Sequence, residues 1–365
     1  ALAAQDFEWA AALIELARPA MDSNYQSATW LAWAKALPDE LLRARPVLSA
    51  GYGWALLDGG ELEASEAWLQ DAERWLDKST ARHKPPQGAI IVDKEQFRSL
   101  PSSVAVARAY RALAFGDVPG TVTYAQQALD LARAGERRWR GAAMSLLGIA
   151  QFTNGNLEAA YHSLNELMEI MLGDGSLAEA ISLAFVLADI STLLGRLREA
   201  VSIYERSLQR AVDQDQPLIL GAADLYRGLS ELSLERGDVA GAAEQLQRGA
   251  ELGEQAALTA WPYRLAIAQA RLEVPQGNLD GAVDLLNQAE RLYVRNPLPN
   301  VRPTAAMTTR VLVRLGKLDE ALQRVHEQNL SAADDLSFMR EFEHITLARV
   351  LIAQARSDGT ESSFD

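Results

Sequence analysis

Seven glycines, Gly60, Gly116, Gly155, Gly195, Gly237, Gly277 and Gly316, stand 56, 39, 40, 42, 40 and 39 residues apart, so all but the first interval repeat a period of about 40. A fixed period in this range means one supersecondary unit used over and over, each copy burying its apolar face on its neighbours. That constraint outweighs the two or three domains that 365 residues suggest at roughly 150 per domain. A single solenoid over residues 1–356 is the expectation.

The residues around each glycine explain the period. Two positions on stands Leu62, Val118, Leu157, Leu197, Val239, Leu279 or Leu318. Five positions on stands a small residue: Ser65, Thr121, Ala160, Ala200, Ala242, Ala282 or Ala321. Seven positions back stands another: Gly53, Ala109, Gly148, Ala188, Ser230, Ala270 or Thr309. Small side chains facing each other let two antiparallel helices approach closely, and the glycine supplies the left-handed residue that ends the first helix. Each unit is thus an αα-hairpin. The stretches before the glycines, such as WRGAAMSLLGIAQF and AEAISLAFVLADISTLL, have apolar residues at helical spacing and no internal proline.

Three regions depart from the rhythm. Residues 83–101 (HKPPQGAIIVDKEQFRSLP) account for the long first interval and read as a loop or extended hairpin, with docking to a neighbouring domain as its functional alternative. Residues 294–303 (VRNPLPNVRP) form a proline-rich connection, and 357–365 form a polar, flexible tail. Residues 1–37, rich in Trp, read as N-terminal capping helices, 38–330 as seven hairpins, and 331–356 as a C-terminal capping helix. Trp9, Trp30, Trp33, Trp68 and Trp75 read as core or cap packing rather than as a ligand platform.

The small–Gly–small spacing resembles the tetratricopeptide repeat, lengthened by a few residues beyond the usual 34, while HEAT-like units share the length but not the spacing. The expected fold is all-α, an α–α superhelix of such hairpins. The stretches LPDELLRARPVLSAGYGWALLDGGELEASEAWLQDAERWL, RGAAMSLLGIAQF, DLYRGLSELSLERGD, ERLYVRNPLPNVRPTAAM and MREFEHITLARVLIA resemble the helical-repeat region of the MalT-like, LuxR-type bacterial transcriptional regulators. In that family an ATPase module precedes the repeats and a DNA-binding helix-turn-helix follows them. The sequence contains no GxxxxGK[ST] loop and no helix-turn-helix segment, so the resemblance implies a sensor fragment whose ATPase and DNA-binding partners lie outside it.

Chemistry of other kinds finds no foothold. Cysteine is absent, and His83, His162, His326 and His344 are scattered without metal-ligand spacing. There is no nucleophile elbow, and the GYG at 51–53 lacks the third glycine of a dinucleotide fingerprint. The expectation is no enzyme, no cofactor and no metal. No apolar run is long enough to cross a membrane. A net charge of −14 repels phosphate backbones, so no direct nucleic-acid contact is expected. The cytoplasm is the expected compartment.

A solenoid presents the first helix of each hairpin along one binding face. The residue six before each glycine is expected to line it: Trp54, Tyr110, Ile149, Asp189, Glu231, Arg271 and Arg310, followed by Arg349 in the last helix. Phe185, Asp224, Arg227 and Arg264 flank them. Arg340, Glu343 and His344 share one face of the last helix, with Asn300 and Arg302 supplied by the proline-rich connection. Two readings stay open: a ladder of ion pairs that fixes repeat register, or a polar ligand site. Carboxylates accept hydroxyl protons, guanidinium groups donate, and an aromatic face stacks on a sugar ring. The expected function is inducer sensing, the ligand being sugar-like or anionic, together with self-association or contact with a regulatory protein. The alternative is a peptide-binding scaffold in which Arg227, Arg264 and Arg271 clamp a carboxylate.

Overall fold

The computed structural model describes residues 1–23, 26–76, 89–133, 135–212, 219–256 and 260–357. Among these residues there is no strand, and the chain forms two compact units. The first comprises Ala1–Ala150 with Arg295–Leu298, and the second Gln151–Val294 with Pro299–Asp365.

In order, the first eight helices are α1 Phe7–Ser23, α2 Ser27–Lys35, α3 Asp39–Arg43, α4 Pro46–Asp58, α5 Leu62–Arg74, α6 Lys94–Ala114, α7 Val118–Leu131 and α8 Arg137–Thr153. There follow α9 Leu157–Gly173, α10 Leu177–Leu193, α11 Leu197–Val212, α12 Ile219–Glu235 and α13 Val239–Ala256. The last are α14 Trp261–Gln276, α15 Leu279–Leu292, α16 Thr304–Arg314, α17 Leu318–Glu327 and α18 Glu341–Ser357. Hairpin partners are α4 with α5, α6 with α7, α10 with α11, α12 with α13, α14 with α15, and α16 with α17.

All seven periodic glycines have positive φ. Each ends its helix in a Schellman motif, as at Gly155, whose N–H bonds Phe152 O at 2.9 Å while Asn156 N–H bonds Gln151 O at 2.9 Å. An eighth such turn at Gly175, between α9 and α10, falls outside the periodic set. Gly155 is doubly constrained, because a Cβ there would meet Phe338 Cβ at 2.9 Å.

The small residues do what their spacing implies. Ala188, Ala200, Ala242, Ala282 and Ala321 are wholly buried. Ala270 and Ala282 share one apolar cluster with Leu286 and Val311, where α14 meets α15 and α16. Trp30 is fully buried and donates from Nε1 to Ile14 O at 2.9 Å, and Trp68 is also in the N-terminal core. Trp9 and Trp33, by contrast, are exposed.

Two boundaries differ from those expected. Of the loop placed at 83–101, residues 83–88 lie outside the described ones, 89–93 are irregular, and Lys94 onward is helix. Asp93 caps that helix, accepting from Glu95 N at 2.9 Å and Gln96 N at 3.0 Å, and α6 runs on through Pro101. The last helix begins at Glu341 rather than at 331. Ser331 and Asp334 close a turn, Ser337 is extended, and Phe338 packs on Phe152 with ring centroids 6.0 Å apart. Apart from Ser357, the tail lies outside the described residues.

Packing this tight makes a definite prediction. Ala282→Leu forces extra carbons between α14 and α15, which costs about 1–3 kcal/mol. The midpoint of urea unfolding should fall accordingly, and an unchanged midpoint would refute the close approach.

Candidate functional site

On α12, Asp224, Arg227 and Glu231 stand at i, i+3 and i+7, so helical geometry alone aligns them on one face. α10 lies on one side of α12 and α14 on the other. Arg227 is 9% exposed. A cation that buried is tolerable only when acids surround it, and three do. Its Nε donates to Asp224 Oδ1 at 3.3 Å, its Nη1 to Glu231, and its Nη2 lies 3.8 Å from Asp189 Oδ2.

The pairing continues onto α14. Arg264 Nη2 donates to the other Asp224 oxygen at 2.9 Å, and its guanidinium carbon lies 6.0 Å from the centre of the Phe185 ring. Arg271 bonds Glu231 through Nη1 and Glu235 through Nη2, the latter at 3.1 Å. Phe185, Asp189, Asp224, Arg227, Glu231, Arg264 and Arg271 therefore form one network, which alternates in sign across three helices.

Protonation preferences follow from the arrangement. Burial opposes ionisation of Glu231, but Arg271, Arg227 and Arg302 together outweigh it and hold its carboxyl at about 2. Burial lowers the basicity of Arg227, yet Glu231, Asp189 and Asp224 raise it well above the usual range. At Asp189 burial wins over Arg227, and the carboxyl is pushed up. The Asp189 side chain nevertheless remains 42% exposed.

Tyr204 joins this network and was absent from the expected set. It comes from α11, the second helix of its hairpin, and donates from its hydroxyl to Asp189 Oδ1 at 2.8 Å. Its ring lies where a Cβ on Gly228 would stand, 2.2 Å from Tyr204 Cζ. A glycine inside an otherwise regular helix was the available signal.

The other expected residues fall into separate places. Arg310 on α16 meets α18: its Nε donates to Thr346 Oγ1 at 2.7 Å and its Nη2 to Phe342 O at 3.3 Å. Arg302 and Arg349 are its charged neighbours. Arg340 lies just before α18 and pairs with Glu343 at 3.4 Å and Asp334 at 3.5 Å, while His344 Nε2 is 3.3 Å from Asp334. The Asn300 side chain hydrogen-bonds the Tyr263 hydroxyl. Tyr110 belongs to the first unit, in an aromatic cluster with Trp54 and Trp139. There Trp54 stacks on Trp139 at 5.7 Å and meets Tyr110 edge-on at 5.9 Å, and Leu298 and Ile149 pack on the same cluster.

The acid behaviour of Glu231 is measurable. A carboxyl whose folded value lies near 2, against 4.5 unfolded, contributes stability above pH 4.5 and loses it as pH falls toward 2. Glu231→Gln should cost about 3 kcal/mol at pH 7, and the difference from wild type should close between pH 4.5 and 2. A cost independent of pH over that window would contradict the pairing.

Over residues 102–363 the chain matches the family described as the MalT-like TPR region. Among curated proteins no sequence matches. Among solved structures the chain is similar to a Rap protein complexed with Competence and Sporulation Factor (TM-score 0.54, 12% identity, 86% of this chain and 89% of that one). It is also similar to the apo form of RapI (TM-score 0.53, 9% identity, 85% and 99%). A third likeness is to a Signal Transduction ATPase with Numerous Domains protein with a tetratricopeptide repeat sensor, from Pyrococcus horikoshii (TM-score 0.50, 12% identity, 93% and 50%). The chain thus spans half the length of that last protein. At these identities the likeness is one of fold, an all-α array of tetratricopeptide-like hairpins.

Proposed function

The chain belongs to the family of MalT-like TPR regions, and on that premise we propose that it is the ligand-sensing part of a LuxR-type transcriptional regulator of the signal-transduction ATPase class. In this reading it binds and does not catalyse. Nucleotide hydrolysis and DNA contact belong to other parts of the parent, which works in the cytoplasm. The chain takes a small-molecule inducer, sugar-like or anionic, on the face carrying Asp189, Glu231 and Arg271, and contributes to self-association. No helix among the described residues is long and apolar enough to cross a membrane.

Asp189 is the observation that carries the proposal. Its partners are fixed by packing, it is open to water, and one of its oxygens already has a donor in Tyr204. Being half exposed, the carboxylate keeps lone pairs available for the hydroxyl protons of a ligand. Phe185 and Arg264 beside it offer an aromatic face and a guanidinium edge. A ladder that serves register alone has no need of a half-open carboxylate.

The likeness in fold to a Rap protein complexed with Competence and Sporulation Factor favours a second reading, a scaffold that grips a peptide. Against it, Arg227, Arg264 and Arg271, the cations that would clamp a peptide carboxylate, are each already paired with acids of this chain.

A thermal-shift screen of the chain against sugars, sugar acids, amino acids and nucleotides separates the two. A ligand at about 100 times its dissociation constant stabilises the fold by roughly 2.7 kcal/mol. The shift should disappear in Asp189→Asn, which keeps the shape and leaves the free protein about as stable as before. Silence across the panel, with binding of extended peptides, would move the function to the scaffold.

A further inference from the structure

Three arginines of the second unit, Arg302, Arg310 and Arg349, lie within electrostatic reach of one another at the end of the network. They make no ion pair with any acid among the described residues, although Arg227, Arg264, Arg271, Arg324 and Arg340 of the same unit all do.

Arg310 is held in place by neutral groups. Its guanidinium carbon lies 3.5 Å from the centre of the Phe342 ring, while Thr346 Oγ1 and the Phe342 carbonyl accept from Nε and Nη2. Thr346 is locked in turn by donating to Phe342 O at 2.7 Å. Stacking and two hydrogen bonds thus fix the fork, and none of them neutralises it. Burial, then Arg349, then Arg302, bring its basicity down to about 10, which still leaves it charged at neutral pH. Arg349 is exposed, at the register position that Asp189, Glu231 and Arg271 occupy in their own hairpins. Arg302 is close enough to Glu231 to act on its carboxyl and so adjoins the network.

Like charges brought together raise the energy of the empty protein, and an anion arriving among them relieves that repulsion. Guanidinium groups bind carboxylate and phosphate oxygens with paired hydrogen bonds, whereas a neutral hydroxyl gains little from three cations. We propose that Arg302, Arg310 and Arg349 bind the carboxylate or phosphate group of the inducer, making the sensed molecule an anion. Arg271, expected from the sequence to share this end, is taken up by Glu231 and Glu235, and Arg302 stands in its place. The assignment rests on the sensor reading and narrows it: the hydroxylated part of the ligand reaches toward Asp189 while its charged group lies among the arginines.

The test uses glucose 6-phosphate, gluconate, inorganic phosphate and glucose as probes, in calorimetric titrations at matched ionic strength. Each is run on the wild type, Arg349→Gln, Arg310→Gln and a control, Arg324→Gln, whose ion pair with Glu290 lies elsewhere. The anions should bind and glucose should not. Affinity should fall at least tenfold in Arg349→Gln, an exposed position whose loss leaves the fold intact, and in Arg310→Gln, but not in the control. Preference for glucose 6-phosphate or for gluconate identifies the anion as phosphate or carboxylate. The proposal is overturned if glucose binds as well as its phosphate, if no anion binds, or if Arg349→Gln binds anions unchanged. Neutral-sugar binding that survives Arg349→Gln but is lost in Asp189→Asn would overturn this assignment and leave the sensor reading standing. Binding of extended peptides alone would remove both.

Discussion

Everything in this protein depends on how closely two antiparallel helices can approach. The wholly buried alanines at Ala188, Ala200, Ala242, Ala282 and Ala321 allow the contact, and each turn glycine reverses the chain at once by taking a conformation other residues resist. Because interiors pack like organic crystals, these positions tolerate little change in volume. The position beside them, six before the turn glycine, has no such duty. It carries Trp54, Ile149, Asp189, Glu231 or Arg310 in different copies. One skeleton thereby presents variable chemistry at constant register.

In the second unit that freedom has been used for charge. Arg227 survives burial because Asp189, Asp224 and Glu231 converge on it from two helices; breaking a pair with the closer Asp224 or Glu231 typically costs about 3–5 kcal/mol, whereas the half-open Asp189, 3.8 Å away, contributes little. The network is therefore a structural device as well as a lining. Register and recognition are coupled: the ion pairs that align α10, α12 and α14 also set the direction of the Asp189 carboxylate. Beyond it, Arg310 is held by neutral groups rather than by acids.

The repeat skeleton was readable because its signals are local, a glycine and two small residues within a dozen positions. What escaped the sequence was set by contacts between distant residues. The start of α18 is delayed to Glu341 because Phe338 docks on Phe152 beside the Gly155 turn, far away in sequence. α6 begins at Lys94 because Asp93 caps it, and it absorbs Pro101, which reads as a breaker. Gly175 breaks the period because it ends the second helix of a hairpin rather than the first. The groove positions placed Asp189, Glu231 and Arg271 on one face, but periodicity carries no information on which arginines find acids. Nor could it supply Tyr204, which reaches the site from the outer helix across Gly228.

The central claim is that one network of charges drives its own carboxyls apart. Carbon-detected NMR titration of the carboxyl groups, assigned with Asp189→Asn and Glu231→Gln, measures this directly. The account predicts that Glu231 stays ionised down to about pH 2, while Asp189 takes up its proton at a pH above the ordinary aspartate range. If both carboxyls titrated together near their unperturbed values, the network would not exist in solution and the site built on it would fall.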